Sequence, residues 1–252
     1  AGIASLFGSK LIKSGIEGAE YLTPLVFMIV LGTVLLNATT ARLFSKVAGV
    51  FLTKSEGILI IGAGKLSVII ASYLQKNNRH VVLVDSNAEN VNIAKESGLE
   101  AIKEDIFAED LTDNIELNDV GYLLSLTGNS RINKFAINKF KDQFGENGSF
   151  RLISPDEMND PENIPKEGLF SHTDDFAKLN EVVRKYPKIH ETEIDSKAHY
   201  DSLIEITKDN EDIVPLFIKL KTGFLDIVPA SSKEVTLDED SKLVYLGKKM
   251  DA

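Results

Sequence analysis

The sequence contains no cysteine and only four histidines. The absence of cysteine excludes disulfides, thiolate zinc sites and cysteine nucleophiles, and it is typical of a reducing compartment. The histidines show no metal-ligand spacing, so we expect them to be structural or surface residues. They are His80, His172, His190 and His199. No serine lies in a nucleophile elbow, and no Ser/His/Asp set can be picked out.

Positive charge is also scarce, because 28 lysines and arginines face 38 aspartates and glutamates, for a net charge of −10. The chain has no basic stripe with interleaved aromatics, which excludes nucleic acid as the expected partner. A hydrophobic content of 43% indicates a mostly folded protein. The first residue is Ala1 and not methionine, so we expect the chain to be part of a longer protein.

The stretch Gly57 to Asp85 predicts a strand, a tight glycine turn, a helix and a second strand. Ile58 to Ile61 is a continuous apolar run, as expected of a strand buried on both faces. Gly62 allows a sharp turn, and Gly64 has no side chain to keep a pyrophosphate from the backbone. The helix that follows presents its N-terminus to that phosphate. Asp85 follows about 20 residues after the turn, where a carboxylate accepts the ribose hydroxyls of an adenosine nucleotide.

The turn departs from the usual pattern because Ser67 replaces the third glycine. A small residue is needed there for close packing of the helix on the strand, and serine is small. The alternative is a purely structural glycine turn that binds nothing. Asp85 argues against a 2′-phosphate and therefore against NADP.

Strand and helix patterns continue to alternate after Asp85, which predicts a doubly wound parallel sheet. We expect helices at 88–97 and 131–144, and strands at 100–103, 120–124 and 149–154. Ligands of such sheets lie beyond the carboxyl ends of the strands. This rule places five residues around one crevice: Gly62, Gly64, Asp85, Asp105 and Thr127.

Tyr21 to Ala41 contains no charged residue and is long enough to cross a bilayer as a helix. Arg42, Lys46 and Lys54 follow it, which predicts that this end is cytoplasmic. The alternative is a buried core helix, because Thr33 and other polar residues dilute the run. Asn37 would either form hydrogen bonds to neighbouring helices or touch an ion path.

The part of the chain after residue 154 is less regular. An acidic loop, 155–168, either holds a hard cation or is simply solvated. A helix is expected at 176–186 and strands at 213–220, 224–228 and 243–246, whereas 198–206 fits either a strand or a helix. We interpret residues 180–252 as a small α+β unit.

Two stretches resemble known families. The first fifty residues resemble the last transmembrane segments of bacterial monovalent cation:proton antiporters of the NhaP type. This resemblance is carried by Ala4–Phe7, Gly18–Glu20, Pro24–Phe27 and Gly32–Arg42.

Gly57 to Ser154 resembles the TrkA-N/RCK nucleotide-binding domain, which regulates potassium channels and transporters. In that family the glycine turn binds phosphates, the acid that matches Asp85 binds ribose, and residues matching Asp105, Thr127 and Asn133 line or support the site. Glu104 stands where the family usually has glycine, which puts the role of Asp105 in question. The expected nucleotide-binding residues are Gly62, Ala63, Gly64, Lys65, Leu66, Asp85, Ser86, Asp105, Ile106 and Thr127.

The resemblance implies a Rossmann-like TrkA-N/RCK domain at 55–179, between transmembrane segments at 1–50 and the α+β unit at 180–252. The implied function is regulatory and not enzymatic: binding of NAD(H) or ATP/ADP gates a sodium (or potassium):proton antiporter. We expect a multi-pass protein of the cell (inner) membrane, with residues after about 42 cytoplasmic. The expected partners are membrane lipid, the rest of the antiporter and a second copy of the chain. The prediction of a homodimer rests on the family resemblance and, weakly, on the apolar run 213–220. The alternatives are an NAD-dependent oxidoreductase and a regulatory subunit of a potassium-uptake system.

Overall fold

The structure is a computed structural model that describes residues 2–47, 56–108, 119–160, 163–170, 175–228, 230, 235 and 237–250. Contacts divide the chain into two compact units, Ala1–Thr53 and Lys54–Ala252. The finer division that the sequence predicts after residue 179 stays a prediction. Most of the connection between the apolar segment and the first strand, residues 48–55, lies outside the described residues.

The first unit consists of helix α1 (Gly2–Lys13), a short 3-10 helix (Ala19–Tyr21) and helix α2 (Leu22–Val47). Residues 19–41 form a helical stretch that is long and apolar enough to cross a membrane, judged by length and composition. Its large apolar side chains are exposed, unlike those of a soluble core helix. Lys54 and the side chains of Arg42 and Lys46, which predict the orientation of this helix, lie outside what the structure describes.

The threonines that dilute the apolar run bond within their own helix. The hydroxyls of Thr33, Thr39 and Thr40 donate to the backbone carbonyls of Val30, Leu35 and Leu36 at 2.7 to 2.9 Å. A satisfied hydroxyl costs less in a bilayer than an unsatisfied one. These residues are therefore compatible with a membrane-spanning helix.

The second unit begins with a parallel sheet of five strands in the order β3-β2-β1-β4-β5. The strands are β1 (Gly57–Ile61), β2 (Val81–Asp85), β3 (Glu100–Lys103), β4 (Val120–Ser125) and β5 (Gly148–Arg151). The helices that alternate with them are α3 (Lys65–Lys76), α4 (Ala88–Glu96), α5 (Ser130–Phe144) and the short α6 (Pro155–Met158). The predicted doubly wound sheet is confirmed.

The two faces of the sheet pack against different helices. Ile58 and Ile60 of β1 lie in the same core as α3 and α4, whereas Leu59 and Ile61 pack with α5. Both sets are buried because successive side chains of a strand point to opposite faces. This explains why β1 is apolar without alternation.

The rest of the chain forms a second sheet, which is antiparallel and has the order β6-β9-β7-β8. Its elements are α7 (Phe176–Lys185), β6 (Ile189–Glu193), α8 (Lys197–Asp209), β7 (Ile213–Lys219), β8 (Leu225–Ile227) and β9 (Lys242–Gly247). The ambiguous segment 198–206 is helical. Sequence patterns missed β6, because its residues are largely polar and only partly buried.

Helix α3 lies between the two sheets. On one side it packs against the parallel sheet, and on the other it contacts α7 and β6. The phenol of Tyr73 on α3 donates to Glu191 Oε1 on β6 at 2.9 Å, and its ring stacks on Phe217 of β7. The helix that follows the glycine turn is therefore also a support of the antiparallel sheet.

Candidate nucleotide-binding site

A cleft of about 410 Å³ lies at the carboxyl ends of the parallel strands. Side chains and backbone from the ends of β1, β2, β3 and β4 contribute to it, as the position of ligand sites in open α/β sheets leads us to expect. It is lined by Ile61, Gly62, Gly64, Val84, Asp85, Ser86, Asn90, Glu104, Asp105, Ile106, Phe107, Leu126, Thr127, Gly128, Ile132 and Phe176.

The two glycines of the turn face different surroundings. Gly62 has φ +99°, and a Cβ there would lie 3.1 Å from Thr127 Cγ2, so both conformation and space favour glycine. Gly64 has an ordinary φ of −69°, and a Cβ there would meet nothing within 4 Å. The space in front of Gly64 is thus open, although the backbone alone would tolerate a side chain. An open approach to backbone is what a pyrophosphate requires.

The N-terminus of α3, at Gly64, has no side-chain cap. Among the described helices of the second unit it is alone in this respect, since the others have a capping Asn, Ser or Asp. The first N–H groups of a helix need acceptors from outside the helix, and the helix dipole favours an anion there. The turn and the N-terminus of α3 thus present backbone N–H groups to the cleft, in an arrangement that suits an anion.

Asp85 closes β2 and faces the glycine turn. Its Oδ2 accepts from the Ala63 N–H at 2.8 Å and from Asn90 Nδ2 at 3.0 Å, and its Oδ1 accepts from the Asn87 N–H at 2.9 Å. A carboxylate offers about four acceptor positions, so one remains on Oδ1 for a donor such as a ribose hydroxyl. These bonds also fix the turn to the end of β2.

The opposite wall is held by a buried asparagine, Asn133 on α5, which is 2% exposed. Its Oδ1 accepts from the Ser125 and Thr127 hydroxyls at 2.9 and 2.6 Å, and its Nδ2 donates to the Thr127 carbonyl at 2.9 Å. Because every bond is buried or partly buried, the network rigidly positions Thr127 at the end of β4. Asn133 is therefore a supporting residue.

The loop after β3 brings two further carboxylates to the cleft, Glu104 and Asp105. Asp105 Oδ1 accepts from the Phe107 N–H at 3.0 Å, which forms an Asx turn. Lys139 of α5 donates to the carbonyls of Ile106 and Ala108 at 3.1 and 2.6 Å, so it stabilises this loop from behind.

Seven of the ten residues predicted from the sequence line the cleft: Gly62, Gly64, Asp85, Ser86, Asp105, Ile106 and Thr127. The other three do not. The side chains of Ala63 and Leu66 are buried in the core beneath the turn, and Lys65 is exposed outside the cleft. They remain part of the turn through their backbone only.

Sequence reasoning missed several lining residues, notably Asn90, Phe107 and Phe176. Asn90 could have been found, because it lies three residues after the helix cap Asn87 and can reach back to the end of β2. Phe176 could not, because it is distant in sequence and only the packing of α7 brings it to the cleft.

The acidic loop is engaged in ion pairs. Both carboxylate oxygens of Glu157 accept from Arg151 at 2.8 Å, and Lys134 lies 2.9 Å from Oε1. These cations hold the pKa of Glu157 well below its usual range, chiefly through the hydrogen bond from Arg151. Glu157 also forms a capping box with Ser154. This carboxylate therefore fixes the end of β5.

The parallel sheet, the uncapped helix and the acid at the end of β2 define a Rossmann-type nucleotide-binding module. Residues 58–158 match the family model of the TrkA-N domain. A search of curated proteins finds no significant match.

Several solved structures are similar. The NAD(P)-binding domain of an exopolyphosphatase-related protein from Archaeoglobus fulgidus is 17% identical over 40% of this chain and 77% of its own, with a TM-score of 0.35. The GsuK RCK domain is 13% identical over 77% of this chain and 44% of its own, with a TM-score of 0.39. The GsuK channel bound to NAD is 14% identical over 98% of this chain and 47% of its own, with a TM-score of 0.35. The chain thus spans less than half the length of either GsuK chain.

Proposed function

We propose that the second unit is a nucleotide-binding regulatory domain whose cleft takes NAD(H) or ATP/ADP. The observation that carries this proposal is the open space in front of Gly64 at the uncapped start of α3. The phosphates of the nucleotide would accept hydrogen bonds from this turn, and the ribose would donate to Asp85. The match of residues 58–158 to the TrkA-N family supports the assignment.

The same carboxylate defines what the cleft rejects. A 2′-phosphate would lie against Asp85, and no lysine, arginine or histidine is among the described residues that line the cleft. Repulsion between the two anions would be strong in this partly enclosed place. NADP is therefore excluded from the proposal.

Regulation fits the cleft better than catalysis does. The polar side chains that the described residues bring to it are carboxylates, an amide and two hydroxyls, and the Thr127 hydroxyl is already bonded to Asn133. Hydride transfer to a carbonyl needs a positioned proton donor, usually histidine, lysine or tyrosine. Binding without chemistry is the function that these side chains support.

We further propose that the regulated partner is a membrane transporter and that α2 is its last transmembrane helix. The exposed apolar surface of α2 supports a lipid environment, and the resemblance of 1–50 to NhaP-type antiporters supports sodium (or potassium):proton exchange. The nucleotide domain would then be cytoplasmic. Binding would shift transport only if the nucleotide has different affinities for two states of the transporter.

The homodimer also stays a proposal and rests on the resemblance alone. The apolar run 213–220 gives it no support, because β7 is buried inside the core of the chain itself.

Two experiments test this function. Calorimetry of the purified chain in detergent should detect binding of NAD(H) or an adenine nucleotide, and no heat with any of them would contradict the proposal.

In vesicles that hold the complete transporter, nucleotide should change ion affinity by about 5- to 150-fold, the range of typical allosteric coupling. Transport that is identical with and without nucleotide would refute the gating role, and NADH oxidation by the purified chain would favour an enzyme.

A further inference from the structure

A second cavity, of about 540 Å³, lies beside the amino ends of β1 and β2. Three parts of the chain surround it: Glu56 directly before β1, the turn that joins α3 to β2, and the turn 220–224 that joins β7 to β8. Two backbone hydrogen bonds hold the last turn, from the Leu220 N–H to the Phe224 carbonyl and from the Gly223 N–H to the Leu220 carbonyl, both at 2.8 Å. This wall of the cavity is therefore fixed by its own backbone.

Arg79 is the cationic side chain of this cavity. Its side chain is only 5% exposed, and its guanidinium lies over the Phe224 ring, 5.1 Å from the ring centre. Nη1 is buried, and although it is paired with Glu56 Oε2, it donates no hydrogen bond to a described residue. Arginine offers five N–H donors in a planar fork, and leaving buried donors of a charged group unbonded is unfavourable. The fork of Arg79 is thus incompletely used.

Glu56 shows which chemical group fits beside Arg79. At Arg151, both carboxylate oxygens of Glu157 accept hydrogen bonds at 2.8 Å, whereas the pair of Arg79 with Glu56 lacks such a set of two parallel bonds. The Glu56 side chain is 43% exposed, so solvent screens its pair with Arg79 and the pair is weak. A carboxylate from solution that meets the fork with both oxygens would therefore displace Glu56.

The other walls suit the rest of a small organic carboxylate. Leu220 and Phe224 contribute apolar side chains. Thr222 Oγ1 accepts from the Phe224 N–H at 3.3 Å, so its O–H can still donate to a ligand. Among the described residues that line the cavity, Arg79 is the one cation. It balances a single negative charge, and a second charge on the ligand would be repelled by Glu56.

We propose that this cavity binds a small organic monocarboxylate, with the carboxylate on the Arg79 fork in place of Glu56 and the apolar part against Leu220 and Phe224. The site is separate from the nucleotide cleft and does not depend on the proposed function. Binding would break the connection that Glu56 makes between the start of β1 and the turn before β2.

Ligand-observed NMR of the full chain in detergent tests the proposal, with butyrate as the probe and butyramide as its uncharged counterpart. Wild type should bind butyrate. It should bind butyramide at least about 10-fold more weakly, because the amide cannot accept two charge-assisted hydrogen bonds from arginine. Inorganic phosphate should also bind more weakly than butyrate.

Two substitutions should change butyrate affinity in opposite directions. Arg79→Lys keeps the charge but removes the fork, so it should weaken binding by about 10-fold or more. Glu56→Gln removes the internal competitor and should tighten binding by about 2- to 5-fold, the range of a screened ion pair. Lys221→Gln is the matched control, because Lys221 belongs to the same turn as Phe224 but pairs with Asp240 and is not among the lining residues. It should change the affinity by less than about 2-fold, since solvent screens an exposed charge.

Glu56→Gln keeps the test valid if Arg79→Lys disturbs folding, because the Glu56 side chain is partly exposed. Unchanged or weaker butyrate binding by Glu56→Gln, or undiminished binding by Arg79→Lys, would overturn the proposal. Equal affinity for butyrate and butyramide, or tighter binding of phosphate than of butyrate, would also overturn it. The same holds if neither wild type nor Glu56→Gln binds butyrate.

Discussion

At the carboxyl end of the parallel sheet, backbone N–H groups of α3 have no side-chain cap, whereas at the amino end charged side chains pair with one another. There, His80 Nδ1 lies 2.9 Å from Asp119 Oδ1 and His80 Nε2 lies 3.1 Å from Glu100 Oε2, while Arg79 pairs with Glu56. The carboxyl end of the sheet thus offers backbone N–H groups to a ligand, whereas the charged side chains at the amino end connect neighbouring strands to one another.

The amino-end cluster favours a charged histidine, because both ring nitrogens face carboxylates and only the imidazolium can donate to both. Partial burial lowers the pKa of His80, but the hydrogen bonds and charges of Glu100 and Asp119 raise it by more, so it lies above its ordinary value. Gly57 makes room for this arrangement, since a Cβ there would lie 2.9 Å from the Asp119 carbonyl oxygen.

The largest effect that separates the two ends is expected from Gly64→Asp. The carboxylate would fill the open space and repel the phosphates, so nucleotide affinity should fall by more than about 100-fold, or about 2.7 kcal/mol. Calorimetry measures the change. Asn78→Asp places the same charge near the other end of α3, at an exposed residue with φ 60°, which aspartate tolerates. If both variants lost nucleotide affinity to a similar extent, the added negative charge, and not its position at the turn, would explain the loss.

Asp85→Ala should have the next largest effect. It removes a charged acceptor for the ribose as well as the acceptor of the Ala63 N–H. The loss of hydrogen bonds to a charged group corresponds to about 1.5–3 kcal/mol, or about 10- to 150-fold in affinity. Fluorescence titration with NADH checks this value. An unchanged affinity would show that Asp85 does not bind the ribose.

Ser67→Ala should stabilise the protein. The Ser67 hydroxyl is buried and has no hydrogen-bond partner among the described residues. Its removal should raise the free energy of unfolding by about 1 kcal/mol, as measured by chemical denaturation. Ser125→Ala is the matched control, because the Ser125 hydroxyl is equally buried but donates to Asn133. That variant should be destabilised, and stabilisation by both would mean that the hydrogen bond of Ser125 contributes nothing.

The smallest effect concerns pH at the amino end. A group whose pKa is raised on folding contributes stability that is complete below its unfolded pKa, about 6.5 for histidine, and is lost as pH rises through the folded pKa. In wild type relative to His80→Gln, the free energy of unfolding should therefore fall as the pH rises above about 6.5. The difference should stay below about 1 kcal/mol, because the side chain is 36% exposed and solvent screens it. Glu100→Gln and Asp119→Asn should each reduce the slope, and a steeper slope in either would contradict the pairing.

Local sequence signals predicted the parallel sheet well, because its strands are short apolar runs and its glycine turn has a fixed spacing to Asp85. The segment 198–206 was ambiguous because its periodicity fits two structures, and burial of Tyr200 and Leu203 on one face of α8 resolves it. The polar strand β6 gave no apolar signal.

The candidate site divides in the same way. Gly62, Gly64 and Asp85 belong to one local motif and could be predicted, whereas Phe176 reaches the cleft through the tertiary packing of α7. Lys65 and Leu66 were also expected at the site, but helical geometry turns their side chains away from the cleft.

The central claim is that a nucleotide binds at the carboxyl end of the parallel sheet. Hydrogen exchange of the full chain in detergent, with and without saturating NAD, tests it most directly. We predict slower exchange of amides in residues 62–68 and 126–128, with no change in residues 79–82 and 119–121. Protection confined to the amino end, or protection at neither end with NAD bound, would contradict the claim.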